Sequence, residues 1–283
     1  MSRKVDLNKL INFLERYLPD LDEVRQIIEQ IEKCDYNIDI YSFNSTDASK
    51  FQIAAILGED QLINDFIING FEVNFQSKRK ITALHLAVFF KNNEIVRILL
   101  ENGADPNKFS QPYFDTPFQM AIANGNRFAV EIMLDYGAHL HSKINTGASM
   151  LHLAIKKKHL EIAKYLMKKI IEVNTFDNVL KTPLHLAASC ESTESIKALL
   201  VYGANVNAGN YDKNTALHIS AYRCHMEAMN ILMKNGASLT LKNIYDKTPF
   251  EACLTPHSTN LLQSETKIAQ KALTSFAYNL HTG

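Results

Sequence analysis

Thr182-Pro-Leu-His185 opens a stretch that closes on Tyr202-Gly203-Ala-Asn-Val-Asn207, and both phrases return along the chain. The first recurs as Thr82-Ala-Leu-His85, Thr116-Pro-Phe-Gln119, Ser149-Met-Leu-His152, Thr215-Ala-Leu-His218 and Thr248-Pro-Phe-Glu251. Counted through Thr182, the steps are 34, 33, 33, 33 and 33 residues. One step before Thr82, Ser49-Lys-Phe-Gln52 with Ile53, Ala54 and Ala55 is a degenerate copy. The second phrase recurs as Asn69-Gly70-Phe-Glu-Val-Asn74, Asn102-Gly103-Ala-Asp-Pro-Asn107, Tyr136-Gly137-Ala and Asn235-Gly236-Ala. Two phrases locked to one period mean one structural unit repeated.

The residue types explain the unit. A threonine hydroxyl accepts a backbone N–H at a helix start, and a proline just inside fills a position whose N–H has no intrahelical partner. After an apolar run such as Ile95, Val96, Ile98, Leu99 and Leu100, a glycine supplies the left-handed conformation that stops a second helix. Each unit therefore reads as helix, turn, helix and projecting loop. One helix pair cannot cover its own apolar face, so Leu84, Leu86 and Ala87 must pack on their counterparts in the next unit.

The period and the Thr-Pro-Leu-His phrase resemble ankyrin repeats over Ser45 to Pro256. The expected fold class is all-α: a solenoid of stacked helix-turn-helix repeats with projecting hairpin loops and helical end caps. Residues 1–44 read as an N-terminal helical cap with a half-repeat, in which Leu7, Leu10, Ile11, Leu14 and Leu18 recur at helical spacing before Pro19. Residues 45–256 read as the repeats, six full and the last partial. Residues 257–283 read as a capping helix carrying Ile268, Ala272 and Phe276 on one face.

Composition narrows the chemistry. Thirty basic and thirty acidic residues give a formal net charge of +0, so no global field draws the chain to nucleic acid or an anionic membrane. Cys34, Cys190, Cys224 and Cys253 show no CxxC spacing, which suits a reduced compartment rather than a disulfide scaffold. Met1 to Leu18 carries Asp6 and Glu15 amid its apolar residues and reads as neither a signal peptide nor a membrane span. The expected setting is the cytoplasm or, for a secreted effector, the interior of a host cell.

His85, His152, His185 and His218 invite a metal or a base, but equivalent positions in neighbouring repeats lie roughly 8–10 Å apart, too far to share one ion. The resemblance implies instead that each ties adjacent loops by hydrogen bonds. Cys224 beside His225 lacks a third group to orient a base, and the pair falls in the inter-helix turn, as His159 does. No phosphate loop, GxSxG elbow or HExxH helix occurs. No catalytic residue, metal or cofactor is expected.

Two departures stand out. Ile170 takes the place of the terminating glycine in the fourth repeat, where a β-branched residue is costly in a left-handed turn, so that junction should be reshaped. The 34-residue step puts one extra residue into the loop holding Phe109, Pro112, Tyr113 and Phe114. The resemblance implies a concave groove lined by loops and first helices, with Arg79, Phe89, Phe90, Tyr113, Phe114, Lys156, Lys157, Tyr211, Tyr222 and Arg223 as partner-binding positions. Lys181, Asp212 and Tyr245 fall at further variable positions of that groove. The aromatics read either as anchors for a partner or as groups that bury one another. Lys156, Lys157 and Lys158 read as a solvated face or as a patch for an acidic partner, and Glu161 and Glu172 weaken a nucleic-acid reading.

The function expected is a protein-protein interaction module: an adaptor, inhibitor or host-directed effector of an intracellular microbe, a monomer that binds one or more proteins and neither nucleic acid nor membrane. The alternative is a regulatory or scaffolding substrate of a cellular asparaginyl hydroxylase. Here the resemblance implies modification of a loop asparagine eight residues after a leucine, which Asn207 after Leu199 and Asn107 after Leu99 satisfy. Asn207 is the better site, because Pro106 stiffens the chain before Asn107.

Overall fold

A computed structural model of the protein describes residues 47–77, 79–111, 115–169 and 172–252. The expected caps at 1–44 and 257–283, Tyr113, Phe114 and the Ile170 junction lie outside the described residues. The chain divides into two compact units, Met1–His139 and Leu140–Gly283.

In the first unit the helix pairs are α1 (Asp47–Leu57) with α2 (Asp60–Ile68), α3 (Ala83–Phe90) with α4 (Asn93–Glu101), and α5 (Pro117–Ala123) with α6 (Arg127–Asp135). The first helices α1, α3 and α5 pack side by side as one layer, and α2, α4 and α6 form the other. In the second unit α7 (Met150–Lys156) pairs with α8 (Leu160–Lys169), α9 (Pro183–Ser189) with α10 (Thr193–Val201), and α11 (Ala216–Tyr222) with α12 (Met226–Lys234), followed by α13 (Pro249–Ala252). Here α7, α9, α11 and α13 make one layer and α8, α10 and α12 the other. Among the described residues there is no strand, only an isolated bridge between Lys143 and Ser149.

Burial follows the predicted faces. Leu84, Leu86, Ala87 and Val88 of α3 and Ile95, Val96, Ile98, Leu99 and Leu100 of α4 are buried, while Glu94, Arg97 and Glu101 face water. The first helices are opened by Thr82, Thr116, Ser149, Thr182 and Thr215, each extended and each accepting the N–H of the residue three positions on. Such a cap contributes about 1 kcal/mol. Second helices stop at glycines such as Gly203 and Gly236, both at φ +84 and both with open space where a side chain would stand. The requirement there is backbone conformation alone.

Two ladders join successive repeats within each unit. In the first, the backbone N–H of Thr82 donates to His85 Nδ1 at 3.2 Å, so the ring proton sits on Nε2, which donates to the Asp115 carbonyl at 3.2 Å. His152, His185 and His218 repeat this with the carbonyls of Lys181 (2.8 Å), Asn214 (2.9 Å) and Lys247 (3.0 Å). Gln52 in the degenerate copy supplies the same long arm, its amide donating to Ile81 O at 3.2 Å. In the second ladder a loop asparagine amide donates to the glycine carbonyl of the next repeat, and its Oδ1 accepts an N–H two residues further on. Asn74 does so with Gly103 (2.8 Å) and Asp105 (2.8 Å), Asn107 with Gly137 (3.0 Å) and His139 (2.9 Å). Asn174 bonds Gly203 (3.1 Å) and Asn205 (2.7 Å), and Asn207 bonds Gly236 (3.2 Å) and Ser238 (2.8 Å).

Candidate partner-binding groove

The loops of the second unit are rigid fingers. At the base of each, one side-chain oxygen caps two backbone N–H groups: Asp177 holds Val179 (3.0 Å) and Lys181 (2.8 Å), Asn210 holds Asp212 (3.0 Å) and Asn214 (2.9 Å), and Asn243 holds Tyr245 (3.0 Å) and Lys247 (3.1 Å). The fingers are also joined at their tips, where Tyr211 N–H donates to Val179 O at 3.1 Å and Ile244 N–H to Asp212 O at 3.0 Å. Gly147, at φ +73, lets the first of them in, because a methyl group there would overlap the Asn178 side chain and come within 2.9 Å of the Asn178 nitrogen. With the backbone satisfied, the tip side chains are free to point outward: Tyr211 is 72% exposed and Tyr245 68%.

Between the fingers at 210–214 and 243–247 and the floor formed by α9 and α11 lies a cleft of about 580 Å³. Tyr222, 39% exposed, and Arg223, the residue that caps α11, stand at its edge with Tyr245, Asp212, Lys181 and Lys247. His185 and His218 also line it but have no free lone pair. Each accepts a threonine N–H on Nδ1 (3.0 and 3.2 Å) and donates from Nε2 to a carbonyl, and burial pushes both below the ordinary histidine pKa. They can serve neither as metal ligands nor as bases without breaking the ladder. Burial lowers His152 likewise and takes His85 to about 4.

The other expected positions divide. Lys156 and Lys157 are exposed at the end of α7. In the first unit Phe89 and Phe90 are half-buried with their rings edge to face, centroids 5.1 Å apart. Arg79 is half-buried and its carbonyl accepts Gln111 N–H at 2.7 Å, while Lys80 lies over the Phe109 ring at 4.9 Å. Cys224 adopts φ +57 in the inter-helix turn, and His225 Nδ1 donates to Ala188 O at 2.9 Å and faces Glu191 at 3.8 Å, a structural tie. Sequence reasoning passes over Lys247, although it stands, like Lys181, immediately before a threonine that opens a first helix. That shared register was the available signal. Among the described residues no cluster of three or more His, Cys, Asp or Glu side chains is arranged to hold a metal, and no helix is long and apolar enough to cross a membrane.

Comparison with known proteins agrees with this architecture. The family model for ankyrin repeats in three copies matches residues 51–144, 110–177 and 177–243. The ankyrin repeat protein FPV031 of fowlpox virus (strain NVSL) is 33% identical over 120 residues, 41% of this chain and 35% of its own length, so the match spans about a third of that relative. Among solved structures, the human ASB11 ankyrin repeat domain is similar with a TM-score of 0.67 at 26% identity, covering 80% of this chain and 96% of that one. The ankyrin repeat domain of Bcl-3, a member of the IkappaB protein family, gives 0.68 at 25% identity over 82% and 99%. The chain belongs to the ankyrin-repeat family, an all-α solenoid fold whose members are protein-protein interaction modules.

Proposed function

We propose that the protein binds a partner protein through the cleft of its second unit, as an adaptor, an inhibitor or a host-directed effector of an intracellular microbe. The observation that carries this reading is the trio of open tyrosines, Tyr211, Tyr222 and Tyr245, held on a frame whose own hydrogen bonds are complete. Aromatic side chains left in water at the edge of a cleft are the usual anchors of an interface. Similarity to a fowlpox virus protein supports the effector role, and with it the host-cell interior rather than the cytoplasm of the producing cell. The reading takes the protein as a monomer with no nucleic-acid or membrane partner. A pulldown from cell lysate with mass spectrometry names the partner. Tyr222→Ala with Arg223→Ala should then weaken binding at least about thirtyfold, two anchors at about 1 kcal/mol or more each, without unfolding the chain. Undiminished binding would move the site to Phe89 and Phe90, where Phe90→Ala with Tyr113→Ala is the next variant.

A second reading, modification by an asparaginyl hydroxylase, is supported at Asn207 by exposure. Asn207 is exposed and Asn107 half-buried beside a buried Pro106. Both asparagines must first leave their ladder bonds. Tryptic mass spectrometry after co-expression with the hydroxylase should find a gain of about 16 Da on Asn207 before Asn107, and the reverse order would overturn the ranking.

A further inference from the structure

We propose that the segment received by the second-unit cleft is acidic, with its carboxylates held by Arg223 and Lys181 and its apolar side chains seated against Tyr222 and Tyr245. The inference rests on the reading of this cleft as the partner site. Three cations line the cleft, Lys181, Arg223 and Lys247, against one carboxylate, Asp212. Among the described residues neither the Arg223 guanidinium nor the Lys181 amine forms an ion pair. The chain as a whole carries a formal net charge of +0, so this excess is local.

The first-helix layer is basic again two repeats earlier, beyond the uncharged Ser189 and Cys190 at the equivalent positions of the intervening repeat. Lys156 and Lys157 stand two repeats before Tyr222 and Arg223 at the same helix positions, exposed, on α7, which packs on α9 as α9 packs on α11. Two helix spacings make roughly 20 Å, a distance that about six residues of extended chain cover. A guanidinium without a carboxylate of its own is suited to a bidentate carboxylate contact, and such a contact is stronger where a cleft wall excludes water. Nucleic acid fits less well. A phosphate backbone places a charge on every nucleotide, whereas a peptide can alternate its carboxylates with apolar side chains that fit against Tyr222 and Tyr245.

The test uses the full chain and fluorescence anisotropy with a fluorescein-labelled 12-residue peptide that alternates glutamate with leucine and tyrosine, beside a copy in which glutamine replaces every glutamate. The acidic peptide is expected to bind at least tenfold more tightly than the glutamine copy, to weaken at least tenfold between 50 and 500 mM salt at about the loss expected of several exposed ion pairs, and to weaken at least tenfold with Arg223→Gln or Lys181→Gln. Lys234→Gln, on the second-helix layer, should leave binding unchanged. Equal affinity for the two peptides would overturn the proposal, as would a single-stranded RNA 20-mer that outcompetes the acidic peptide at equal concentration. If neither peptide binds while the partner from the pulldown still depends on Tyr222 and Arg223, the acidic segment is wrong and the cleft reading stands. A partner indifferent to both residues overturns the cleft reading itself.

Discussion

Phe89-Phe90 in the first unit and Tyr222-Arg223 in the second occupy the same two positions at the end of a first helix, yet they do different work. The phenylalanines are half-buried and lean on each other edge to face. The tyrosine and arginine face a cleft, exposed, with no ion pair for the guanidinium among the described residues. One backbone, opened by Thr82 in one case and Thr215 in the other with the same histidine arm, carries both. The difference teaches that the frame and its ornaments are separable: residues that repeat hold the stack, and residues that vary decide whether a surface closes on itself or stays open.

That separation can be broken in several ways. The largest effect belongs to the frame. His85 is neutral in the folded chain with its pKa lowered by burial to about 4, so below pH 6.5 the unfolded chain takes up a proton that the folded one refuses. Stability should therefore fall as pH drops from 6.5 to 4, by about 3 kcal/mol, and change no further below that from this group. Urea titrations at stepped pH check it. His85→Gln should make the slope shallower, with buried His152, His185 and His218 still contributing to it, while keeping the cap, because Gln119 already accepts the Thr116 N–H at 3.1 Å in that register. An unchanged slope would show that the acid sensitivity lies elsewhere.

Next come the paired positions themselves. Phe89→Ala with Phe90→Ala should cost about 2 kcal/mol of stability, from lost burial and the edge contact. Tyr222→Ala with Arg223→Ala should cost less than about 1 kcal/mol, since exposed side chains are removed. Equal losses in urea unfolding would erase the distinction. Smaller again is the contrast between two glycines. Gly203→Ala meets open space and should cost about 1 kcal/mol for its left-handed backbone, whereas Gly147→Ala also drives into Asn178 and should cost about 1 kcal/mol more. The smallest effect is Cys224→Gly, which relieves a non-glycine residue at φ +57 and should stabilise by about 0.5 kcal/mol in the same assay.

The frame was legible in the sequence because each of its parts is a local rule repeated: threonine caps, glycine stops and an apolar stripe are read without knowing what lies across the interface. Gln52 shows the limit of that reading. Its phrase is degenerate, but an amide can reach a carbonyl 29 residues away as an imidazole does, and only the packed structure reveals the equivalence. The groove was legible as a set of positions and not as a surface. Whether Phe90 and Tyr222 are covered depends on their neighbours in three dimensions, and periodicity places both in one register. Lys247 escaped notice although it shares the register of Lys181 before a threonine, because only the cleft shows that this register lines one surface together with Arg223.

The single 34-residue step shows which parts of the chain tolerate a change of length. His85 reaches its carbonyl across 30 residues where His152, His185 and His218 reach across 29, and the extra residue lies in the finger between Asn107 and Asp115, with the asparagine bonds intact. Loss of one block from Thr182 to Asn214 would leave His152 facing the Lys181 carbonyl as before and hand Asn174 the carbonyl of Gly236 in place of that of Gly203. Unequal recombination between repeats could thus lengthen or shorten this gene in whole blocks without orphaning a buried donor, so the span offered to partners can evolve in jumps of one repeat while a cut of any other size through the helices is purged.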